Sequence, residues 1–518
     1  MGSLATLFAQ SQNRVAVANN CNIPTNYNSS ANWVQNCWTK HRSGPAGYVA
    51  IEATFLNGVI STNSEQNAYY DFVLRAGILV NGQFTQLLFD GQTETTVSKN
   101  WGMAIGKANV YIPPNTDFYI TNRRVAADNG AAGIYNVLTT TGGTNVRQDG
   151  ITTGTDTSKD FTLGVGVAYG AKLGTPVVNG SGVITSIPID PSNRGTGYGA
   201  GVNLALWYGP AGSNQPGSLY AGSGVGGYGN VGSGQVSSIT ITSGGTGHSQ
   251  STPPQAFVGG SGAANTGFGT TTATYGPSLI SGIPRRRMPS VLLLGDSITA
   301  GYGSVDAVGD LNGSFGLYEQ SFVNRGYSVH KMAVSGESGA GFLATKTQQL
   351  NYMDSQIRRG MRPTHVVIGL GVNDFLTNNN TDVLSYTQGS INDIANLWRA
   401  RGAKIILTTI TPANTTSSGS NKFTTIAEQS PVLVGGSAAN FQAGGRVEQY
   451  NSALVSGALA NDGIIDISSY CRDTTTTNAW RVNAFSAGTA FCSSDGIHPN
   501  VSCGIPYLVA NMALPAIN

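Results

Sequence analysis

The pattern of apolar residues changes in kind near residue 285, and this change constrains the fold more than any other feature. Beyond it, continuous apolar runs at 291–294, 364–370 and 403–409 are predicted to be buried strands. Between the last two runs, apolar residues recur at helical spacing: Ile391, Ile394, Ala395 and Trp398. Alternating buried strands and helices require a parallel sheet that is covered on both faces. We therefore predict that residues 285–518 form a three-layer α/β domain.

The first 175 residues have a pattern that is typical of all-β proteins. Between about residues 48 and 125, short runs rich in β-branched and aromatic residues alternate with Asn/Gly turns, and strand-like runs continue to residue 169. A chain of 518 residues is also too long for one ordinary core, because domains average roughly 150 residues. We predict a sandwich or jelly-roll-like domain over residues 1–175.

A Gly-rich stretch over residues 176–276 carries a degenerate repeat. The segment GVITSIPI begins at residue 182 and leads to GTGY at 195–198, and the segment GQVSSITI begins at residue 234 and leads to GTGH at 245–248. Self-similarity at such a spacing indicates duplicated supersecondary units. We predict two β-hairpin modules, whose composition resembles that of Gly-rich hairpins in phage tail and surface-fibre proteins.

The charge balance limits the classes of partner. Only 10% of the residues are charged and the net charge is +2, which argues against a nucleic-acid partner and against a charge-rich disordered chain. No run of about 18 apolar residues occurs, so we expect no membrane span. The first residues lack the basic and apolar segments of a secretory leader.

The cysteines form no CxxC pair and no His/Cys cluster with metal-ligand spacing, so we expect no metal. Two alternatives stay open for them, disulfide bridges in an oxidising environment or buried thiols. A bridge could join Cys21 to Cys37, or two of the three C-terminal cysteines, and the odd count leaves at least one unpaired. The full set is Cys21, Cys37, Cys471, Cys492 and Cys503.

No cofactor is expected either. Gly222, Gly224 and Gly227 fit the GxGxxG pattern, but no buried strand precedes them and no helix follows. We interpret them as turn glycines.

Polar residues follow the predicted strands of the α/β domain. Asp296 and Ser297 come directly after the first strand, and loops at the carboxyl ends of parallel strands line the crevice where ligands bind. A serine at such a turn can expose its hydroxyl as a nucleophile, although Asp and Ser are also common helix N-caps.

Three further segments favour the chemical interpretation: residues 333–338, 371–374 and 495–500. Together the blocks GDSIT, SGES, GVND and DGIHPN resemble the four signature blocks of the SGNH/GDSL hydrolase family, in the family's order. The resemblance covers residues 291–518 and implies a flavodoxin-like SGNH hydrolase fold.

The resemblance also assigns roles to individual residues. It implies that Ser297 is the nucleophile, that His498 is its base and that Asp495 orients the imidazole, as chemistry with a weakly nucleophilic hydroxyl requires. The oxyanion would be bound by the backbone N–H groups of Ser297 and Gly336 and by the side-chain amide of Asn373.

Asp296 and Asp374 are expected to orient the loop backbones, since Asp495 already fills the acid role.

The leading functional hypothesis is a carbohydrate O-acetylesterase that acts on acetylated polysaccharide, with N-terminal β-modules that bind the glycan. One alternative is a lipase-like or general carboxylesterase. Another is a structural phage tail or surface-fibre protein with an accessory esterase, for which homotrimeric or virion assembly would follow. An extracellular or virion location is expected in either setting.

Overall fold

The computed structural model describes most of the chain, with gaps. The described residues are 14–18, 21, 23–24, 26–32, 34–62, 64–68, 70–81, 83–126, 134–138, 146–151, 171–194, 204–209, 223–233, 235–251, 255–261, 275–301, 316–378, 380–416, 423, 425–431, 438–476, 478–482, 493, 495–500 and 504–517.

The strands in the described part of the chain before residue 285 pair in antiparallel fashion. Those of the N-terminal sandwich are β1 (Val15–Ala16), β2 (Asn26–Asn32), β3 (Val34–Arg42), β4 (Tyr48–Ser61), β5 (Ser64–Asn67), β6 (Phe72–Val80), β7 (Gln83–Gln86), β8 (Thr95–Val97), β9 (Gly102–Ala108), β10 (Asp117–Ala126), β11 (Ile134–Leu138) and β12 (Val146–Ile151). Those that follow are β13 (Ala171–Leu173), β14 (Val177–Val178), β15 (Ile184–Ser186), β16 (Ile189–Arg194), β17 (Leu204–Gly209), β18 (Ser223–Gly232), β19 (Gln235–Thr246), β20 (Gln255–Ser261) and β21 (Leu279–Pro284).

Two sheets of the N-terminal region share one core. The first has the order β1–β21–β4–β5 with β9 paired to β4, and the second has the order β12–β3–β10–β6–β7 with β8 paired to β6. Apolar side chains from both sheets meet in a single buried cluster, in which Tyr275 contacts Phe55 and Phe72. The predicted strand-rich antiparallel fold is confirmed. Strand β21, which follows the Gly-rich stretch in the sequence, pairs with β4 in the first sheet.

The Gly-rich stretch contains small antiparallel sheets, of which the largest has the order β19–β18–β17–β20. Its two repeat copies touch, because the N–H of His248 donates to the carbonyl of Gly182 at 3.1 Å. The interpretation of Gly224 and Gly227 as turn glycines is wrong, since both lie in strand β18, where Gly227 adjoins a bulge. Small residues are tolerated at strand bulges, which periodicity alone does not reveal. Gly222 and residues 195–198 lie outside the described residues.

The C-terminal domain is built on a parallel sheet, as predicted. Its strands are β22 (Ser290–Gly295), β23 (Ser328–Ala333), β24 (His365–Gly369), β25 (Lys404–Thr408) and β28 (Gly463–Ile465), and β26 (Asn414–Thr416) and β27 (Gln429–Pro431) form a separate hairpin. The order β23–β22–β24–β25–β28 puts the first strand between the second and the third, which is the flavodoxin-like arrangement.

Helices cover both faces of this sheet. They are α1 (Ser297–Ala300), α2 (Leu317–Val323), α3 (Gly339–Arg358), α4 (Val372–Thr377), α5 (Val383–Arg399), α6 (Ala438–Phe441), α7 (Arg446–Val455), α8 (Ile467–Cys471) and α9 (Gly504–Asn511). Helix α5 packs between α3 and α7, and α2 packs against α9. Crossovers between parallel strands are almost always right-handed, which puts two such groups on opposite faces of a sheet of this order. The predicted apolar stripe of α5 is buried. Within the described helices, none has both the length and the apolarity to cross a membrane.

One of the two cysteine alternatives is resolved for Cys21. Its sulfur is a buried free thiol, 3.9 Å from Nδ1 of His41, so the bridge to Cys37 is wrong. Burial raises the pKa of this thiol. Cys471 is buried at the end of α8, and Cys492 and Cys503 lie outside the described residues.

The first sheet of the sandwich packs against the C-terminal domain through β4. Because side chains alternate along a strand, Ile51 and Phe55 enter the sandwich core, whereas Leu56 and Ile60 enter the core of the α/β domain. On the same face as Leu56, Glu52 accepts two hydrogen bonds from Arg359, at 2.8 and 2.9 Å, just beyond the end of α3.

We predict that Glu52→Gln lowers the free energy of unfolding by about 2 kcal/mol, because it leaves Arg359 without its charged partner at a largely buried interface. Glu94→Gln removes the partner of Arg75 in an exposed pair and should cost less than about 1 kcal/mol. Chemical denaturation of both variants measures the difference. Equal losses would contradict the importance assigned to the interface pair.

Candidate active site

Ser297 lies where strand β22 ends and helix α1 begins, at the carboxyl edge of the sheet. Asp296 caps the helix, and its carboxylate accepts the N–H of Ile298 at 2.9 Å. A Cβ on Gly295 would collide with the side chain of Thr299, so only glycine fits this tight turn. The turn thereby places Ser297 next to the point where the strand order reverses, between β23 and β24.

Ser297, His498 and Asp495 form one continuous chain of hydrogen bonds. The hydroxyl Oγ of Ser297 is 2.8 Å from Nε2 of His498, and Nδ1 of His498 is 2.7 Å from Oδ2 of Asp495. A carboxylate can only accept, so Nδ1 carries the proton and Nε2 is left to accept from the hydroxyl. Residues far apart in the sequence are therefore brought together, with the Ser297 side chain almost fully buried.

The carboxylate of Asp495 is held in its ionised form. Burial alone would raise its pKa, but the hydrogen bonds from the His498 side chain, the His498 N–H and the Ile497 N–H outweigh burial and lower the pKa to about 2. Asp495 therefore remains negative throughout the neutral range, where it can stabilise a protonated imidazole.

The loop that carries His498 is fixed by residues outside the four blocks. The carbonyl of Gly496 accepts hydrogen bonds from the indole N–H of Trp480 at 2.7 Å and from the backbone N–H of Asn414 at 2.9 Å. Trp480 is fully buried. The sequence analysis missed both residues, and no local pattern marks them, because the bonds end on a backbone carbonyl. Cys492 and Cys503, two of the three C-terminal cysteines whose pairing the sequence leaves open, lie outside the described residues.

The loop around Gly336 is bonded to Asn373 and Asp374 of the GVND block. The side-chain amide of Asn373 donates to the carbonyl of Glu337 at 2.9 Å. The carboxylate of Asp374 accepts the N–H groups of Gly339 and Ala340, at 2.8 and 3.3 Å, at the start of α3. These bonds give Asp374 the loop-orienting role predicted for it, and the cap on α1 gives Asp296 the same role.

Several hydrogen-bond donors at the site are available to a ligand. Within the described part of the chain, the backbone N–H groups of Ser297 and Gly336 donate to no other group. Asn373 uses one amide hydrogen on Glu337, and an amide nitrogen carries two. The donors named in the sequence analysis thus belong to loops that are bonded to one another, since the N–H of Val334 also donates to the carbonyl of Gly295 at 3.0 Å.

A buried carboxyl group adjoins these loops. Glu337 is 2% exposed, and neither of its side-chain oxygens has a hydrogen-bond partner among the described residues. Burial, together with the nearby carboxyl groups of Glu65, Asp296 and Asp374, raises its pKa to about 8. Burial likewise raises the pKa of Asp296 to about 7. Glu337 is therefore mostly neutral at neutral pH. The sequence predicted no role for this residue, which is part of the SGES block.

No cluster of His, Cys, Asp and Glu suited to a metal ion occurs among the residues that the structure describes.

The buried Glu337 predicts a pH-dependent stability. Its pKa is higher in the folded chain than in the unfolded chain, so the wild type loses stability as the pH rises from about 4.5 through about 8. Glu337→Gln removes this loss. We expect the melting temperature of the variant, relative to wild type, to be higher at pH 8 than at pH 4.5. Thermal unfolding across this range checks it, and a difference that does not change with pH would contradict it.

Comparison with known proteins places the site in a family. Residues 293–502 match the model of the GDSL-like lipase/acylhydrolase family. A GDSL-like lipase from Bacteroides thetaiotaomicron VPI-5482 is 20% identical, with a TM-score of 0.26 over 42% of this chain and 83% of that one. The psychrotrophic esterase EstA from Pseudoalteromonas sp. is 17% identical, with a TM-score of 0.24 over 42% of this chain and 91% of that one.

A catalytic mutant of Axe2, an acetylxylan esterase from Geobacillus stearothermophilus, is 16% identical, with a TM-score of 0.26 over 42% of this chain and 90% of that one. No curated protein sequence matches the chain. On the family match and the parallel sheet described above, residues 293–502 are a GDSL-like lipase/acylhydrolase domain with the SGNH fold.

Proposed function

We propose that Ser297 is the nucleophile of this esterase, with His498 as general base and Asp495 as the residue that orients and stabilises the imidazole. The observation that carries this proposal is the unbroken chain from hydroxyl to imidazole to carboxylate, with distances of 2.8 and 2.7 Å. The first distance lies in the range over which a base can remove the proton of a nucleophile, and the second lies in the range over which a third group can orient that base.

The reaction proceeds in two balanced steps. Oγ of Ser297 attacks the ester carbonyl carbon while its proton passes to Nε2 of His498, and the tetrahedral oxyanion then expels the alcohol, which takes that proton from the imidazole. Water attacks the acyl-enzyme in the same way, giving up a proton to His498 and releasing the carboxylic acid and the free Ser297 hydroxyl.

The oxyanion would be stabilised by the N–H groups of Ser297 and Gly336 and by the second amide hydrogen of Asn373. Their lack of other acceptors supports this role, because such donors require no reorganisation when charge develops. Their loops are bonded together, which keeps the donors in fixed relative positions.

The substrate that we propose is an O-acetylated polysaccharide. A large strand-rich region joined directly to the catalytic domain suits a polymer, and a chain with only 10% charged residues suits an uncharged one. The description of the matching family leaves longer acyl esters as the alternative. The same composition supports an extracellular or virion location. Light scattering would separate a homotrimeric fibre-like assembly from a free enzyme.

The decisive experiment measures acetate release from a panel of acetylated polysaccharides by wild type and by Ser297→Ala. We expect release from at least one glycan by the wild type and a loss of about 10⁴-fold or more in the variant. Esters of longer acids serve as the comparison. Cleavage of those esters without acetate release from any glycan would favour the general carboxylesterase.

Asn373→Ala should lower the turnover number by about 10²- to 10³-fold in a protein that remains folded, because one oxyanion donor is lost. Asn380→Ala, an exposed asparagine on the loop that follows α4, is the matched control and should retain wild-type turnover. Circular dichroism verifies folding of both. Near-normal turnover of folded Asn373→Ala would refute the role of its amide.

A further inference from the structure

We infer that the N-terminal sandwich completes the esterase site, because the turn between β4 and β5 positions the oxyanion loop through Thr62. This inference rests on the proposed function, in which the N–H of Gly336 binds the oxyanion.

The central contact joins two residues that are 273 positions apart. The hydroxyl of Thr62 donates to the backbone carbonyl of Ser335 at 2.6 Å. That carbonyl and the N–H of Gly336 belong to the same peptide group, which is planar and trans, so the two point in opposite directions. A hydrogen bond that fixes the carbonyl therefore fixes the direction of the N–H on the other side.

The two segments are also in close contact. Gly336 has a φ of +81°, and a Cβ built on it would meet Oγ1 of Thr62 at 2.9 Å and Cγ2 at 3.0 Å. The turn thus packs directly on the Cα of the oxyanion loop. A glycine is required here both by the backbone conformation and by this neighbour.

The same hairpin binds the helix that follows the loop. One carboxylate oxygen of Glu65 accepts the N–H groups of Gln348 and Gln349, at 2.6 and 3.1 Å, on α3. The loop and α3 are consecutive in the chain, so the hairpin holds one continuous unit at two points. Asn373 holds the other side of the loop, through the carbonyl of Glu337.

Thr62 is accordingly a positioning residue, which acts through the Ser335–Gly336 peptide. Its hydrogen bond is exposed to solvent, so its removal should lower turnover roughly 2- to 13-fold, the effect of one ordinary hydrogen bond. Substrate binding before the oxyanion forms should hardly change.

The test compares Thr62→Val, which removes the hydroxyl and keeps the shape, with Thr62→Ser, which keeps the hydroxyl. With p-nitrophenyl acetate we expect Thr62→Val to lower kcat roughly 2- to 13-fold with KM within about twofold, and Thr62→Ser to recover most of kcat. Thr116→Val is the matched control, because its exposed hydroxyl also bonds a backbone carbonyl, that of Pro114, within the sandwich. Its kcat should equal that of the wild type.

Wild-type kcat in Thr62→Val, or a loss that Thr62→Ser does not recover, would overturn this inference alone. Equal rates for the wild type and Ser297→Ala would instead overturn the proposed function, and this inference with it. Melting temperatures of the Thr62 variants close to that of the wild type are expected, since the hydroxyl contacts one loop at the surface.

Discussion

The burial of β4 on both faces is the constraint that joins the two halves of this protein. Odd-numbered residues such as Ile51 and Phe55 fill the sandwich, and even-numbered residues such as Leu56 and Ile60 fill the α/β core. Full burial of a large apolar side chain contributes about 1.5–3 kcal/mol, so separating the halves would expose a costly surface. The sandwich is therefore part of the structural support of the catalytic domain as well as a neighbour of it.

The loops of the site are held in place by hydrogen bonds to their backbone carbonyl groups. The Gly496 carbonyl beside His498 is held by Trp480 and Asn414, and the peptide before Gly336 is held by Thr62. Catalysis by fixed donors depends on such supports, because a displacement of about 1 Å can cost much of the stabilisation that the donors provide. In the proposed mechanism, side chains of the signature blocks perform the chemistry, and residues elsewhere in the chain help to set their positions.

This division explains what the sequence could and could not predict. Loops at the carboxyl edge of a parallel sheet are a suitable place for such residues. Ser297, Asp495, His498 and Asn373 could be named because the blocks that carry them resemble, in order, the signature blocks of the SGNH/GDSL hydrolase family. Trp480 and Thr62 could not, since a bond to a backbone carbonyl leaves no mark in a residue pattern.

The fold, like the site, was predictable in part. Buried runs such as 291–294 predicted the strands of the parallel sheet. The return of β21 to the sandwich and the Gly-rich strand β18 escaped prediction, because register and long-range pairing have no local signal.

The electrostatics of the site follow from where each carboxyl lies. In the proposed mechanism the oxyanion forms at the N–H groups of Ser297 and Gly336, which are neighbours of Asp296 and Glu337 in the chain, and two negative charges on these carboxyl groups would oppose it. Burial keeps Glu337 mostly neutral at neutral pH, with a pKa of about 8, whereas hydrogen bonds keep Asp495 ionised, with a pKa of about 2. Negative charge is thus retained beside the imidazole, which becomes positive in the proposed mechanism, and is reduced beside the oxyanion. Environments that separate the pKa values of neighbouring acids in this way let one site stabilise both charges of its transition state.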